Sequence, residues 1–191
     1  TKEQLCKLIS SHPKRDQFLA AHPIAGTEFS GPQAAHKGLF QGKPQILCES
    51  NKTRPDLLLW AKQTFRQMGM YLRFMEAEEH DKHMAYVSHL SHISSFMLGK
   101  TVLEKEEDEN NIFDLAGSGF ESTVRLAKSS PAMWTPIFEQ NKENIIETLE
   151  AYIKNLENFK SLLANDDFEA LFQEMKNTNQ LTSILNGISK K

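Results

Sequence analysis

The spacing of apolar residues changes period once along this chain, near Glu76. Before that point Phe18-Leu19-Ala20-Ala21 and Ile46-Leu47-Cys48 are short apolar runs bounded by turn formers, and they read as buried strands. A helix follows, with Thr53 as a cap, Pro55 in the first turn, Asp56 completing a T-x-x-D box and Gly69 as the stop. Leu57, Ala61, Phe65 and Met68 form its expected buried stripe. From Met70 to Met75, Met70, Leu72 and Phe74 alternate with Tyr71 and Arg73, the period of a half-covered strand.

After Glu76 the strand signals stop and helical periodicity takes over, which predicts an α/β region over 1–75 and a helical region over 76–191. Ile145, Leu149, Tyr152, Leu156, Phe159 and Leu163 keep alternate spacings of four and three, the narrow seam by which one long helix packs on another. Phe168, Leu171, Phe172 and Met175 repeat the pattern, as do Leu181, Ile184, Leu185 and Ile188. Three amphipathic helices with so little chain to cover them suggest burial against a second copy; a monomeric bundle is the other reading. Glu104 to Asn111 reads as an acidic, solvated loop. Gly117-Ser118-Gly119 reads as a turn opening a helix over 120–128 that stops at Ser129-Ser130-Pro131.

Composition narrows the classes. With 191 residues, 39% of them hydrophobic, the chain can bury a core, as one domain or two small ones. The formal charge of −3 with scattered Lys and Arg argues against nucleic acid as a partner. No apolar run approaches the roughly 18–20 residues that cross a bilayer, and the N-terminus carries no signal pattern, so neither a membrane nor a secretory route is expected. Two cysteines in no metal-ligand spacing fit a reducing, cytoplasmic compartment. The first residue is Thr1 rather than Met, so a piece of something longer is expected.

Candidate chemistry lies in three places. His22, in His22-Pro23-Ile24-Ala25-Gly26-Thr27-Glu28, is expected to emerge at a strand end, where open α/β sheets bind ligands. A neutral imidazole there can take a proton from a hydroxyl near pH 7; the alternative is a histidine capping the turn before Pro23, and spacing alone favours the alternative. The cluster Glu78-Glu79-His80-Asp81-Lys82-His83, with His89 and His92, invites a metal. At roughly 100° per residue, however, His80 and His83 point one way while His89 and His92 point away, so no metal site is expected. Asp81, Ser88 and His92 fall within about 40° of one another on a regular helix, a polar stripe that needs a ligand or hydrogen-bonded core partners. Arg125 is a candidate carboxylate clamp, or else one half of a surface ion pair.

HPIAGTEFSG (22–31), EEHDKHMAYVSHLSH (78–92) and GSGFESTVRLAKSSPAMW (117–134), in this order and at these separations, resemble the prephenate dehydrogenase family, and the resemblance covers nearly the whole chain. It implies an α/β remnant of a Rossmann-like dinucleotide-binding domain over 1–75. An all-α dimerisation domain over 76–191 follows, in an NAD- or NADP-dependent homodimer. The implied reaction is oxidative decarboxylation of prephenate to 4-hydroxyphenylpyruvate, in tyrosine biosynthesis. By the same resemblance His22 is the catalytic histidine, Arg125 binds a substrate carboxylate, and His92 lines the pocket. Thr27 and Glu28 flank the cleft, Asp81 stands at the pocket mouth near Ser88, and Trp134 reaches across the dimer.

Two departures stand out. Glu121 and Ser122 occupy positions where some family members carry a lysine and an acidic residue, which alters the charge balance at the entrance. The family's G-x-G-x-x-G turn is absent, and Gly26, Gly31 and Gly38 do not replace it, so this piece alone is expected to bind nicotinamide weakly or not at all. Arogenate dehydrogenase is the close alternative, differing in whether the substrate side chain is amino or keto. A non-catalytic helical dimerisation module is the alternative from another class.

Overall fold

The computed structural model describes residues 1–26, 31–109 and 111–188. The chain opens with a short helix, α1 (Glu3–Leu8), and then builds a three-stranded sheet from β1 (Ala20–Pro23), β2 (Pro44–Cys48) and β3 (Tyr71–Met75). The strand order is β1-β2-β3; β1 runs antiparallel to β2 with His22 opposite Ile46, and β2 runs parallel to β3 with Leu47 opposite Phe74. The crossover between the parallel strands is α2 (Pro55–Gln67), as a parallel pair requires. Central β2 is covered on both faces, which explains its unbroken apolar run.

Three expectations about this region change. β1 begins two residues later than the apolar run suggests, so His22 lies within the strand, in an edge position that tolerates the missing N–H of Pro23. Thr53 does not cap α2: its hydroxyl donates to the Phe18 carbonyl at 2.8 Å, and Arg54 takes the cap position. On β3, Phe74 is half-exposed, its ring covered by the Lys62 ammonium 5.0 Å from its centroid. Gly69 does end α2, at a φ of +78° that a side chain would strain. Cys6, Ala20, Ile46, Cys48 and Ala77 pack as the core between the sheet and the helices beside it.

Beyond β3 the described chain is helical. α3 (Ala77–Met84) passes through a π-helical turn at Ala85–His89 into α4 (Leu90–Glu109); α5 (Ser118–Val124), α6 (Pro131–Gln140), α7 (Lys142–Ala164), α8 (Phe168–Thr178) and α9 (Leu181–Ile188) follow. The stretch from Glu104 is not a loop. α4 continues to Glu109 because Lys100–Glu104 and Lys105–Glu109 are charge pairs one turn apart, and Glu106 accepts from the amides of Asn111, Ile112 and Phe113 just beyond. The helix expected over 120–128 divides into α5 and a tighter turn at Arg125–Lys128.

The chain forms two compact units, 1–145 and 146–191, with the boundary inside α7. In the second unit Asp167 caps α8 through the Ala170 amide, and Asn158 bonds Glu174 at 2.6 Å between α7 and α8. No helix among the described residues is long and apolar enough to cross a membrane.

Candidate active site

The inward stripe of α3 follows helical spacing from Ala77 through His80, Asp81 and Ala85, all buried. Two of these four are ionisable, and only 1% of each is exposed. Burial on that scale demands partners, and they are present. The Asp81 carboxylate takes the Lys2 amide at 2.7 and 2.9 Å and the Glu3 amide at 2.9 Å, satisfying two free N–H groups at the start of α1. It also takes Nδ1 of His80 at 2.7 Å. Nε2 of His80 reaches Nδ1 of His22 on β1 at 2.8 Å. A chain of three side chains, His22–His80–Asp81, therefore runs from the sheet edge to a helix start.

Burial raises the Asp81 carboxyl, but the hydrogen bonds from His80, Glu3 and Lys2 more than offset it, and its pKa ends below the usual carboxylate value. His22 moves the other way: burial, with His80 and Lys2 beside it, lowers its pKa to about 4 despite the attraction of Asp81. His22 is thus neutral at physiological pH, the state in which an imidazole can accept a proton.

A second group gathers on α4 and α6. His92 accepts no charge readily: burial lowers its pKa, the bond from Nδ1 to the Ser88 carbonyl at 2.9 Å opposes that, and the charge of Arg125 adds to the lowering. Its ring lies on Trp134 with centroids 3.5 Å apart and planes 29° from parallel. Arg125 is exposed at the start of its turn, and Ser95 donating to the Thr123 carbonyl at 2.6 Å ties α5 to α4 just before it. Asn141 joins the two groups. Its Nδ2 lies 2.8 Å from the Asp81 carbonyl and 3.0 Å from Nδ1 of His89, and His89 makes edge contacts with Trp134 and Phe138.

The polar stripe expected from a regular helix does not form. The π-helical turn at Ala85–His89 inserts extra rotation, so Asp81 sits with His80 while Ser88 and His92 sit with Trp134. Asp81 is correspondingly not at a pocket mouth but buried beneath His22. Trp134 is 8% exposed and packed within its own protomer, its ring N–H without an acceptor. His80, which sequence reasoning grouped with the exposed His83, is the residue it missed; Ala77 and Ala85 carried the phase that would have turned His80 inward. Thr27 and Glu28 lie outside the described residues.

A groove of about 570 Å³ opens beside Trp134, walled by Ile93, Phe96, Met97, Leu103 and Phe138. Among the described residues neither His22 nor Arg125 lines it, so it is not where the two groups would share a ligand. No group of three or more His, Cys, Asp or Glu is placed to hold a metal among the described residues. Nor do the residues fit a dinucleotide phosphate site: Gly31, Gly38, Gly42 and Gly69 have positive φ but sit in separate turns, none opening a helix in a G-x-G-x-x-G loop.

Comparison with known proteins agrees with this geometry. A family model described as the prephenate dehydrogenase nucleotide-binding domain matches residues 1–73, and one described as the prephenate dehydrogenase dimerization domain matches residues 76–177. The prephenate dehydrogenase of Bacillus subtilis is 30% identical over 168 residues, 86% of this chain and 44% of that protein. A crystal structure of the Aquifex aeolicus prephenate dehydrogenase with hydroxyphenyl propionate and NAD+ superposes with a TM-score of 0.81 at 34% identity, over 89% of this chain and 59% of that one. The Synechocystis arogenate dehydrogenase superposes with a TM-score of 0.76 at 26% identity, over 96% and 65%. The chain spans about half the length of the curated relatives it matches.

Proposed function

The chain belongs to the prephenate dehydrogenase family, and from that premise we propose that it supplies the proton-accepting and carboxylate-binding parts of an enzyme that oxidatively decarboxylates prephenate to 4-hydroxyphenylpyruvate. NAD or NADP is the hydride acceptor of that reaction, as NAD+ accompanies the relative from Aquifex aeolicus. The glycine-rich loop it needs is not among these residues. The region 1–75 is the distal part of the nucleotide-binding domain, and 76–191 is the substrate-binding and dimerisation domain.

What this chain contributes follows from its charges. His22, neutral and half-buried, takes the proton of the substrate hydroxyl as the ring carbon bearing it becomes a carbonyl. Arg125, whose charge already reaches His92, offers its planar fork to a substrate carboxylate. His92, flattened on Trp134, forms a wall of the pocket with Ser88 beneath it. The observation that carries the reading is the hydrogen-bonded line from His22 to Asp81, which commits two buried ionisable groups to the placement of one imidazole.

His22→Asn in the enzyme expressed from its full reading frame is expected to lower kcat by roughly 10²–10⁴-fold, the range for losing a positioned base. Steady-state kinetics with prephenate and NAD+ measures it, and undiminished turnover would sink the assignment. Arogenate, the substrate named for the Synechocystis relative, is run beside prephenate, and the ratio of kcat/KM values fixes the preference. The assembly is a homodimer through the helical domain, supported by the apolar seam left open on α7, α8 and α9. Buried free thiols at Cys6 and Cys48, the latter pushed up to about 12 by burial, fit a cytoplasmic enzyme.

A further inference from the structure

We infer that His80 and Asp81 are positioning residues that fix the tautomer of His22, holding its proton on Nδ1 and its lone pair on Nε2. The inference rests on His22 being the base of the reaction proposed above, but the tautomer itself is a property of this chain alone. The argument is a count of protons along three hydrogen bonds. Asp81 lies below the ordinary carboxylate range and already accepts from two backbone amides, so it is ionised and can only accept. At 2.7 Å, His80 Nδ1 must therefore carry the hydrogen. A neutral imidazole has one N–H, which leaves Nε2 of His80 with a lone pair. The 2.8 Å contact to His22 then needs a donor from the other side, and that donor is Nδ1–H of His22.

His22 in turn has one hydrogen while neutral, and the relay has claimed it. Its Nε2 is left bare and basic. Free imidazole divides its proton between the two nitrogens, and a histidine with Nε2–H could donate to a substrate oxygen but not take a proton from it. Asp81 therefore selects, two residues away, the form of His22 that can act. When His22 accepts the substrate proton it becomes a cation with both nitrogens protonated. Its Nδ1–H still points at His80, whose far nitrogen rests on the Asp81 carboxylate, so the new charge is stabilised along the same line.

The design also explains why α3 carries two polar residues on its inward face where apolar ones would pack more cheaply. Nothing in the fold needs a histidine at position 80 merely to satisfy Asp81, which the amides of Lys2 and Glu3 already reach.

The test reads the tautomer directly. Nitrogen-15 NMR of imidazole-labelled protein, on this 191-residue chain at pH 7, is expected to show His22 protonated at Nδ1 and bare at Nε2. In Asp81→Asn the amide oxygen can keep the Lys2 and Glu3 amides while its NH₂ donates to His80. That reverses both rings and puts the His22 proton on Nε2. In the enzyme from the full reading frame, the same variant should lose roughly 10²–10⁴-fold in kcat with KM little changed. A wild-type His22 protonated at Nε2, or a tautomer unmoved by Asp81→Asn, overturns the inference; the wild-type spectrum decides even if the variant does not fold. A reversed tautomer together with full turnover in His22→Asn would instead leave the relay standing and remove the proposed function.

Discussion

The two compact units of this chain break opposite rules of folding. The first buries polar groups: His80 and Asp81 lie inside it, and the Asn141 amide spans a carbonyl and an imidazole in its interior. The second leaves apolar groups outside, with Leu156, Phe172, Ile184 and Leu185 each 52–58% exposed. A buried polar group is tolerable only with its hydrogen bonds made, and those in the first unit are made. A long apolar seam is tolerable only when something covers it, and in one protomer nothing in the second unit does. The first unit is complete as far as its chemistry is concerned; the second is built for company.

The sharpest way to break that contrast is to remove a partner from the buried line. Asp81→Ala strands His80 Nδ1–H and the Lys2 and Glu3 amides in a site without water. Leaving buried donors unpaired costs about 3 kcal/mol or more, beyond any effect on catalysis. Urea denaturation should show that loss, while Asp81→Asn, which keeps the partners, should cost far less. Equal costs for the two would mean the line is not closed as described.

How much of this was legible beforehand depended on what kind of signal each part carries. The strands around Ile46 and Leu72, α2 with its Gly69 stop and the seam of α7 follow from periodicity, because burial against one face writes itself into spacing. The charged end of α4 was hidden because a dense run of Glu and Lys reads as solvent, while its pairs a turn apart sustain a helix. His80 was hidden for two reasons: its neighbours in the inward stripe are alanines, which mark a phase weakly, and a π-helical turn cannot be read from a wheel drawn at constant pitch. That Arg125 and His92 share one neighbourhood comes from α4 and α5 packing, a long-range fact with no local signature.

A smaller effect belongs to the second unit. Leu156→Glu places a charge in the seam at a position that is exposed in the protomer, so folding of the protomer loses almost nothing. Self-association loses the burial of that leucine and must bury a carboxylate instead, a penalty of about 2–3 kcal/mol and hence roughly a hundredfold in the dimer dissociation constant. Sedimentation velocity across a dilution series measures it. An unchanged weight-average mass would show that this face is not the one that pairs.

The smallest expected effect separates the units by pH. All seven histidines precede residue 93, so only the first unit can respond in the histidine range. His22 and His89 are both lowered to about 4, chiefly by burial, from a value of about 6.5 in the unfolded chain. Between those values the unfolded chain binds protons that the native state refuses. Stability is then whole above about 6.5, falls as the pH drops toward 4, and loses nothing more from these two groups below it. Asp81 has the opposite protonation logic, its depressed carboxyl contributing until the pH falls through the ordinary carboxylate value near 4, so its loss begins where the histidine loss ends. With screening at the partly open His22, the histidine loss amounts to on the order of 1 kcal/mol, or about 2–4 °C in Tm between pH 7 and pH 5. Calorimetric scans at the two pH values measure it, and His22→Asn should shrink the shift without abolishing it, since His89 remains. A shift of the same size in a variant lacking both imidazoles would place its origin elsewhere and dissolve the distinction between a unit that titrates and one that does not.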